Sequence, residues 1–149
     1  MTERLERFTA AQKGGTYFRA RDEIAAGRKT SHWMWFIFPQ LRGLGRSEAA
    51  WFYGLEDAAE AHAYLRHQLL GPRLVEICET LLTHAGTPPE EILGPVDAQK
   101  LQSSMTLFAA LPGAPTVCQK VLDTFHDGAL CPRTLAMLAD GDGATAPPG

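Results

Sequence analysis

Cysteine is scarce in this chain. Three thiols stand among 149 residues, at Cys78, Cys118 and Cys131, and no CxxC pair occurs. An odd, unpaired set argues against a disulfide framework and for reduced thiols. No Cys and His cluster has the spacing of a zinc site, so no structural metal and no cofactor are expected. Long apolar runs are also missing. The longest, Trp33 to Phe38, has six residues, far short of the ~20 that cross a bilayer. The amino-terminal MTERLERFTAAQ is charged and amphipathic and lacks the features of a secretory signal, so a cytoplasmic protein that avoids membranes is expected. Basic excess is absent as well. A net charge of −3 and a pI near 5.9 argue against general nucleic-acid binding, which needs cations to neutralise phosphates. There is no GxGxxG after a strand, no GxxxxGK phosphate loop, no GxSxG and no HExxH.

What is present is an ordinary globular composition, 45% apolar and 21% charged, at a natural single-domain length. Residues 1–139 read as one compact domain. From Asp140 the sequence DGDGATAPPG is too small and polar to order itself and reads as a disordered tail, 140–149. Apolar residues recur mostly at helical spacing. Leu5 and Phe8 start a short helix, and Tyr17, Phe18 and Ile24 share a face that Gly27 closes. Leu55, Ala58, Ala61, Leu65 and Leu69 mark a helix, and Leu74, Ile77, Cys78 and Leu81 another, with Pro72 in its first turn. A short helical turn and a Gly-Pro break precede a longer helix with Leu101, Met105 and Phe108 facing inward. Two further helices follow, on Val117, Val121, Leu122 and Phe125 and on Leu135 and Leu138. The fold class is therefore mainly α, with about six or seven helices. AWFYGL, with brief period-two alternation, is the one candidate for a short strand pair, near Trp51 to Leu55.

The densest stretch is KTSHWMWFIFPQLRGLGRS, Lys29 to Ser47. It is too aromatic for a solvated loop, and Pro39 ends any regular element within it. It reads as a segment that enters the core and leaves polar ends outside. Arg28, Lys29, Arg42 and Arg46 bracket the aromatics, and cations beside ring faces suit an anion with a stackable base. Trp33 or Trp35 would stack a ring, Lys29, Arg42 and Lys100 would contact phosphate or ribose, and Gln40 and Ser104 are further ligand-binding candidates. A second polar cluster, DAQKLQSSMT, supplies Lys100 and Ser104 from one helix, with mid-helix serines that are not helix-optimal. Glu23, and second to it His32, are the candidates for moving a proton, since a carboxylate near aromatics can act as acid or base. The functional expectation is a domain that binds or hydrolyses a nucleotide-like ligand such as an ADP-ribose derivative. The alternative is a non-enzymatic module that docks a protein partner through exposed Trp and Met residues of the Trp-rich patch near HWMWFIF, Trp33 the first to test, with a homo-oligomer joined at the same patch as a further option.

The blocks HWMWFIFPQ and KLQSSMTLF, with EAHAYL and ILGPVDAQ, resemble a bacterial family of unknown function, some members of which carry the label calpastatin. The resemblance runs from about Arg7 to Leu138 and implies a small, mainly helical domain of undetermined activity. The helical pattern is unlike a disordered repeat inhibitor, so the label implies no protease inhibition. The family pattern places an Asp three residues before the final Thr, and this chain has Cys131 before Thr134. The combination of an acidic early helix, a Trp-rich wall and a Lys-bearing later helix is also similar to NADAR domains, which act on ADP-ribose derivatives. No residue role is carried over from them.

Overall fold

The computed structural model describes residues 2–140, so the expected tail lies, but for Asp140, outside the described residues. The chain opens with α1 (Thr2–Ala11), which buries Leu5 and Phe8, and α2 (Thr16–Ala25), which buries Tyr17, Ala20 and Ile24 at spacings of three and four. Gly27 follows with φ +82°, the left-handed turn that ends a helix. The aromatic segment then forms a single helical turn, α3 (Met34–Ile37), before Pro39. Next come α4 (Glu48–Tyr53), α5 (Ala58–Arg66), α6 (Leu70–Leu82) and α7 (Pro89–Leu93). The last three are α8 (Pro95–Ala109), α9 (Thr116–His126) and α10 (Pro132–Ala139).

Among the described residues ten helices stand where about six or seven were expected, chiefly because α3 is a short turn within the aromatic segment and α4 takes the place of the expected strand pair. The strand pair expected near Trp51 to Leu55 is not there. Ser47 accepts the Ala50 amide at 3.0 Å and caps a helix across Trp51 to Tyr53. Only Leu55 pairs, in one parallel bridge to Leu41, through Leu55 N to the Gln40 carbonyl at 2.9 Å and Arg42 N to the Leu55 carbonyl at 2.8 Å. Among the described residues there is no strand, and no helix is long and apolar enough to cross a membrane.

The centre of the domain is α8. Every residue from Ser103 to Phe108 is buried, as a helix must be when α5, α7, α9 and α10 surround it. The amino-terminal side is tied by a charged fork. Arg7 on α1 meets both oxygens of Glu60 on α5 at 3.0 Å and donates to the Phe52 and Gly54 carbonyls at the end of α4. Both side chains are about nine-tenths buried, so the pair is sound only because these extra hydrogen bonds complete it.

The join between α5 and α6 depends on a glycine. His67 Nδ1 accepts the amides of Leu69 and Leu70 at 3.1 and 3.2 Å, which folds the chain back on itself. A Cβ placed on Gly71 would lie 2.1 Å from the Leu65 carbonyl oxygen, a contact with backbone that cannot swing aside. Gly71→Ala should therefore lower stability by about 1–3 kcal/mol, read as a drop in the urea midpoint followed by circular dichroism. An unchanged midpoint would mean that the α5–α6 join can open.

Candidate functional site

The aromatic segment is held from both sides by carboxylates. On one side is Glu23, near the end of α2. Its Oε1 accepts the Thr30 amide at 2.8 Å, the Ser31 amide at 3.0 Å and the indole N–H of Trp33 at 2.9 Å, while Oε2 accepts the Ser31 hydroxyl at 2.6 Å. Burial pushes this carboxyl up, but the hydrogen bonds from Ser31, Thr30 and Trp33 outweigh it and hold its pKa at about 2. Glu23 is thus an anion fully engaged in shaping the loop. Trp33, 1% exposed, is driven into the core beneath it.

On the other side is Asp97, in the first turn of α8. Lys29 Nζ lies 2.9 Å from one of its oxygens and Lys100 Nζ 3.3 Å from the other. Each lysine also covers an indole: Lys29 sits 5.2 Å from the Trp33 ring centroid and Lys100 4.4 Å from that of Trp35. Two ammonium groups share one carboxylate, which leaves a local excess of positive charge. Close by, two buried polar groups have no hydrogen-bond partner among the described residues, the Trp35 indole N–H and the Ser104 hydroxyl. Such groups are rare in folded proteins and are expensive to leave unmet.

Lys100 also opens on a cleft of about 410 Å³ between α8 and α10, with Gln40 at one end and Gln99, Gln102, Ser103, Cys131 and Arg133 around it. The floor is made by packing α10 on the polar side of α8. Thr106 Oγ1 donates to the Gln102 carbonyl at 2.7 Å and accepts the Cys131 amide at 3.0 Å, while Gln102 Nε2 donates to the Ala129 carbonyl at 2.9 Å. Ser103 Oγ lies 3.3 Å from Cys131 Sγ and 3.2 Å from the Gln99 carbonyl. Ser103 and Thr106, in mid-helix, hold this contact, while Ser104 makes no hydrogen bond among the described residues.

The residues singled out in the sequence are distributed as follows. Gln40 and Lys100 share the α8–α10 cleft, Trp35 lies under Lys100, Lys29 shares Asp97 with it, and Ser104 is buried one helical turn further along α8. Glu23 lines a cleft of about 630 Å³ with Arg19, Asp22 and Arg28, and exposed His32 a neighbouring one of about 560 Å³ with Arg19 and Tyr53. Arg42 lies apart, stacked 4.6 Å from the Trp51 ring and donating to the Trp51 carbonyl. Trp33 and Met34, the anchors of a protein-docking patch, are each 1% exposed; the exposed aromatics are Trp51, Phe52 and Phe18. Among the described residues no group of three or more His, Cys, Asp or Glu side chains could hold a metal. Arg133, Gln99, Gln102, Ser103 and Cys131 were not foreseen as cleft residues. The Cys131-Pro132 pair did mark a helix start, but nothing in the chain says that this helix docks on α8.

Glu23→Gln removes the charge that the donors stabilise. With a folded pKa of about 2 against an ordinary 4.5, Glu23 stabilises the fold fully above pH 4.5, and that contribution is lost as pH falls towards 2. The variant should be less stable at neutral pH and show a flatter loss of stability between pH 4.5 and 2, measured by urea unfolding at several pH values.

The sequence matches the family described as protein of unknown function (DUF1810) over residues 2–138. It is 48% identical to a solved structure, the conserved hypothetical protein Rv1873 from Mycobacterium tuberculosis, with a TM-score of 0.87 over 91% of this chain and 96% of that one. No curated protein matches. With nearly the whole domain covered, from α1 to the last turns of α10, the chain belongs to the DUF1810 family.

Proposed function

We propose that the α8–α10 cleft binds an anionic, nucleotide-like small molecule, with ADP-ribose derivatives the first class to test. The observation that carries this reading is Lys100. Among the described residues it has one carboxylate partner, which it shares with Lys29, and it sits on the Trp35 indole while lining the cleft. A phosphate there would meet Lys100 and Arg133, charges suited to phosphoryl oxygens. The side-chain amides of Gln40 and Gln99 suit the hydroxyls of a ribose or the edge of a base. The unpartnered indole N–H of Trp35 is a donor still seeking an acceptor.

Binding is better supported than hydrolysis. Glu23 is occupied by four hydrogen bonds, and neither it nor His32 lines this cleft. Docking of a protein through the Trp-rich patch has less support still, because Trp33 and Met34 are buried and Trp35 is half-buried beneath Lys100.

Isothermal titration calorimetry with ADP-ribose, NAD and ADP tests the reading. Saturable binding that weakens with added salt is expected, and Lys100→Ala should weaken it by about tenfold or more, the loss of one charge-assisted hydrogen bond. Absence of saturable heat for all three ligands at millimolar concentration would overturn it.

A further inference from the structure

Two aromatic side chains of α4 stay outside the core. Ala50 turns inward, but Trp51 and Phe52 are 56% and 53% exposed, the two aromatics more than half exposed among the described residues. Both are held in place. The Arg42 guanidinium lies 4.6 Å from the Trp51 ring centroid, and its Nε donates to the Trp51 carbonyl at 2.8 Å. Phe52 packs edge-on against Tyr53, with ring centroids 4.8 Å apart. Ordered, adjacent aromatics left in water mark an interaction surface, and Trp and Arg are the residues on which such surfaces most depend.

Beside these rings, between α1 and α4, lies a cleft of about 450 Å³ lined by Arg4, Glu6, Arg7, Ala10, Arg42 and Phe52. Arg42 joins the two features, since it lines the cleft and stacks on Trp51. A hollow and a projecting ring thus share one face. The charges on that face are of both signs. Arg4 and Arg7 are met by Glu56 and Glu60. Glu6 and Arg42 have no ion-pair partner among the described residues, though both line the cleft. A uniformly acidic partner would bring like charge against Glu6, and a uniformly basic one against Arg42. A second copy of the same face brings a cation to the anion and an anion to the cation, because in a two-fold contact every pairing occurs twice.

We propose that this face joins two copies of the chain in a two-fold dimer, with Trp51 of each copy entering the α1–α4 cleft of the other and Glu6 of each meeting Arg42 of the other. Trp51 is the anchor. The Glu6 and Arg42 pairs at the cleft set the register, because they form only when the two faces meet in the two-fold orientation. The α1–α4 cleft shares no residue with the α8–α10 cleft, so the dimer does not depend on a ligand and the ligand site does not depend on the dimer.

Sedimentation velocity of the full chain without ligand, from micromolar to near-millimolar concentration, tests the proposal. A reversible monomer–dimer equilibrium is expected. Trp51→Ala, which removes an exposed ring and leaves the core intact, should weaken dimerisation by at least about tenfold. Glu6→Arg and Arg42→Glu should each weaken it by placing like charges together, and the double variant should recover much of the loss because the exchanged charges pair again. Circular dichroism confirms that each variant is folded. If Arg42→Glu fails to fold, Trp51→Ala and Glu6→Arg decide, since both positions are exposed. A monomer at every concentration, a dimer unaffected by Trp51→Ala or by Glu6→Arg, or a folded double variant no better than the single ones would each overturn the proposal.

Discussion

The carboxylate of Glu23 decides where the aromatic segment goes. Without an acceptor for its N–H, Trp33 could not be buried at low cost, since a buried donor left unmet destabilises by about 1–3 kcal/mol. Glu23 supplies that acceptor and binds two loop amides as well. The loop therefore turns sharply after α2 and sends Trp33, Met34, Phe36 and Phe38 inward together. Once Trp33 is set, Lys29 is carried to Asp97, and the backbone of Lys29 reaches the Ile92 carbonyl at 2.7 Å. The early helices are thereby joined to α7 and α8. Trp35 comes to rest against Lys100 as a consequence.

The same geometry explains why one side of the molecule is left electrostatically unfinished. Asp97 divides its charge between two lysines, and the Trp35 N–H beside Lys100 and the Ser104 hydroxyl on the same helix have no partner among the described residues. On the amino-terminal side the opposite holds. Arg7 and Glu60 satisfy each other in a two-point pair and Arg7 spends its remaining donors on carbonyls. A buried charge pair with every donor used is architecture. A cluster with excess charge and spare donors, beside a cleft, is the better place to expect a ligand.

Helices α2, α6, α8 and α9 were legible from apolar residues at helical spacing, such as Ile24, Leu74, Leu101 and Phe125. So was the inward path of Lys29 to Ser47, because Pro39 and the run of aromatics allowed little else. Less was legible at AWFYGL, where period-two alternation suggested strands. Ser47 and Gly54 instead cap and end a helix, and capping is a local hydrogen bond that hydrophobic periodicity does not report. At the site, Lys100 and Gln40 were recognisable as polar residues beside apolar blocks. Cys131 and Arg133 were not, because they reach the cleft only through the docking of α10 on Ser103 and Thr106. Glu23 was singled out for its position near aromatics, but its chemistry depends on how many donors converge on it, which only the fold reveals.

The central claim is that the unfinished side of the molecule, and not the clefts beside Glu23 and His32, receives the ligand. Titration of ADP-ribose into isotopically labelled protein, followed by two-dimensional amide and indole NMR spectra, measures this directly. The account predicts saturable shifts at the Trp35 indole N–H and at the amides of Gln40, Lys100 and Arg133, with the Trp33 indole and the Thr30 and Ser31 amides unmoved. Shifts confined to Thr30, Ser31, His32 and the Trp33 indole would contradict it.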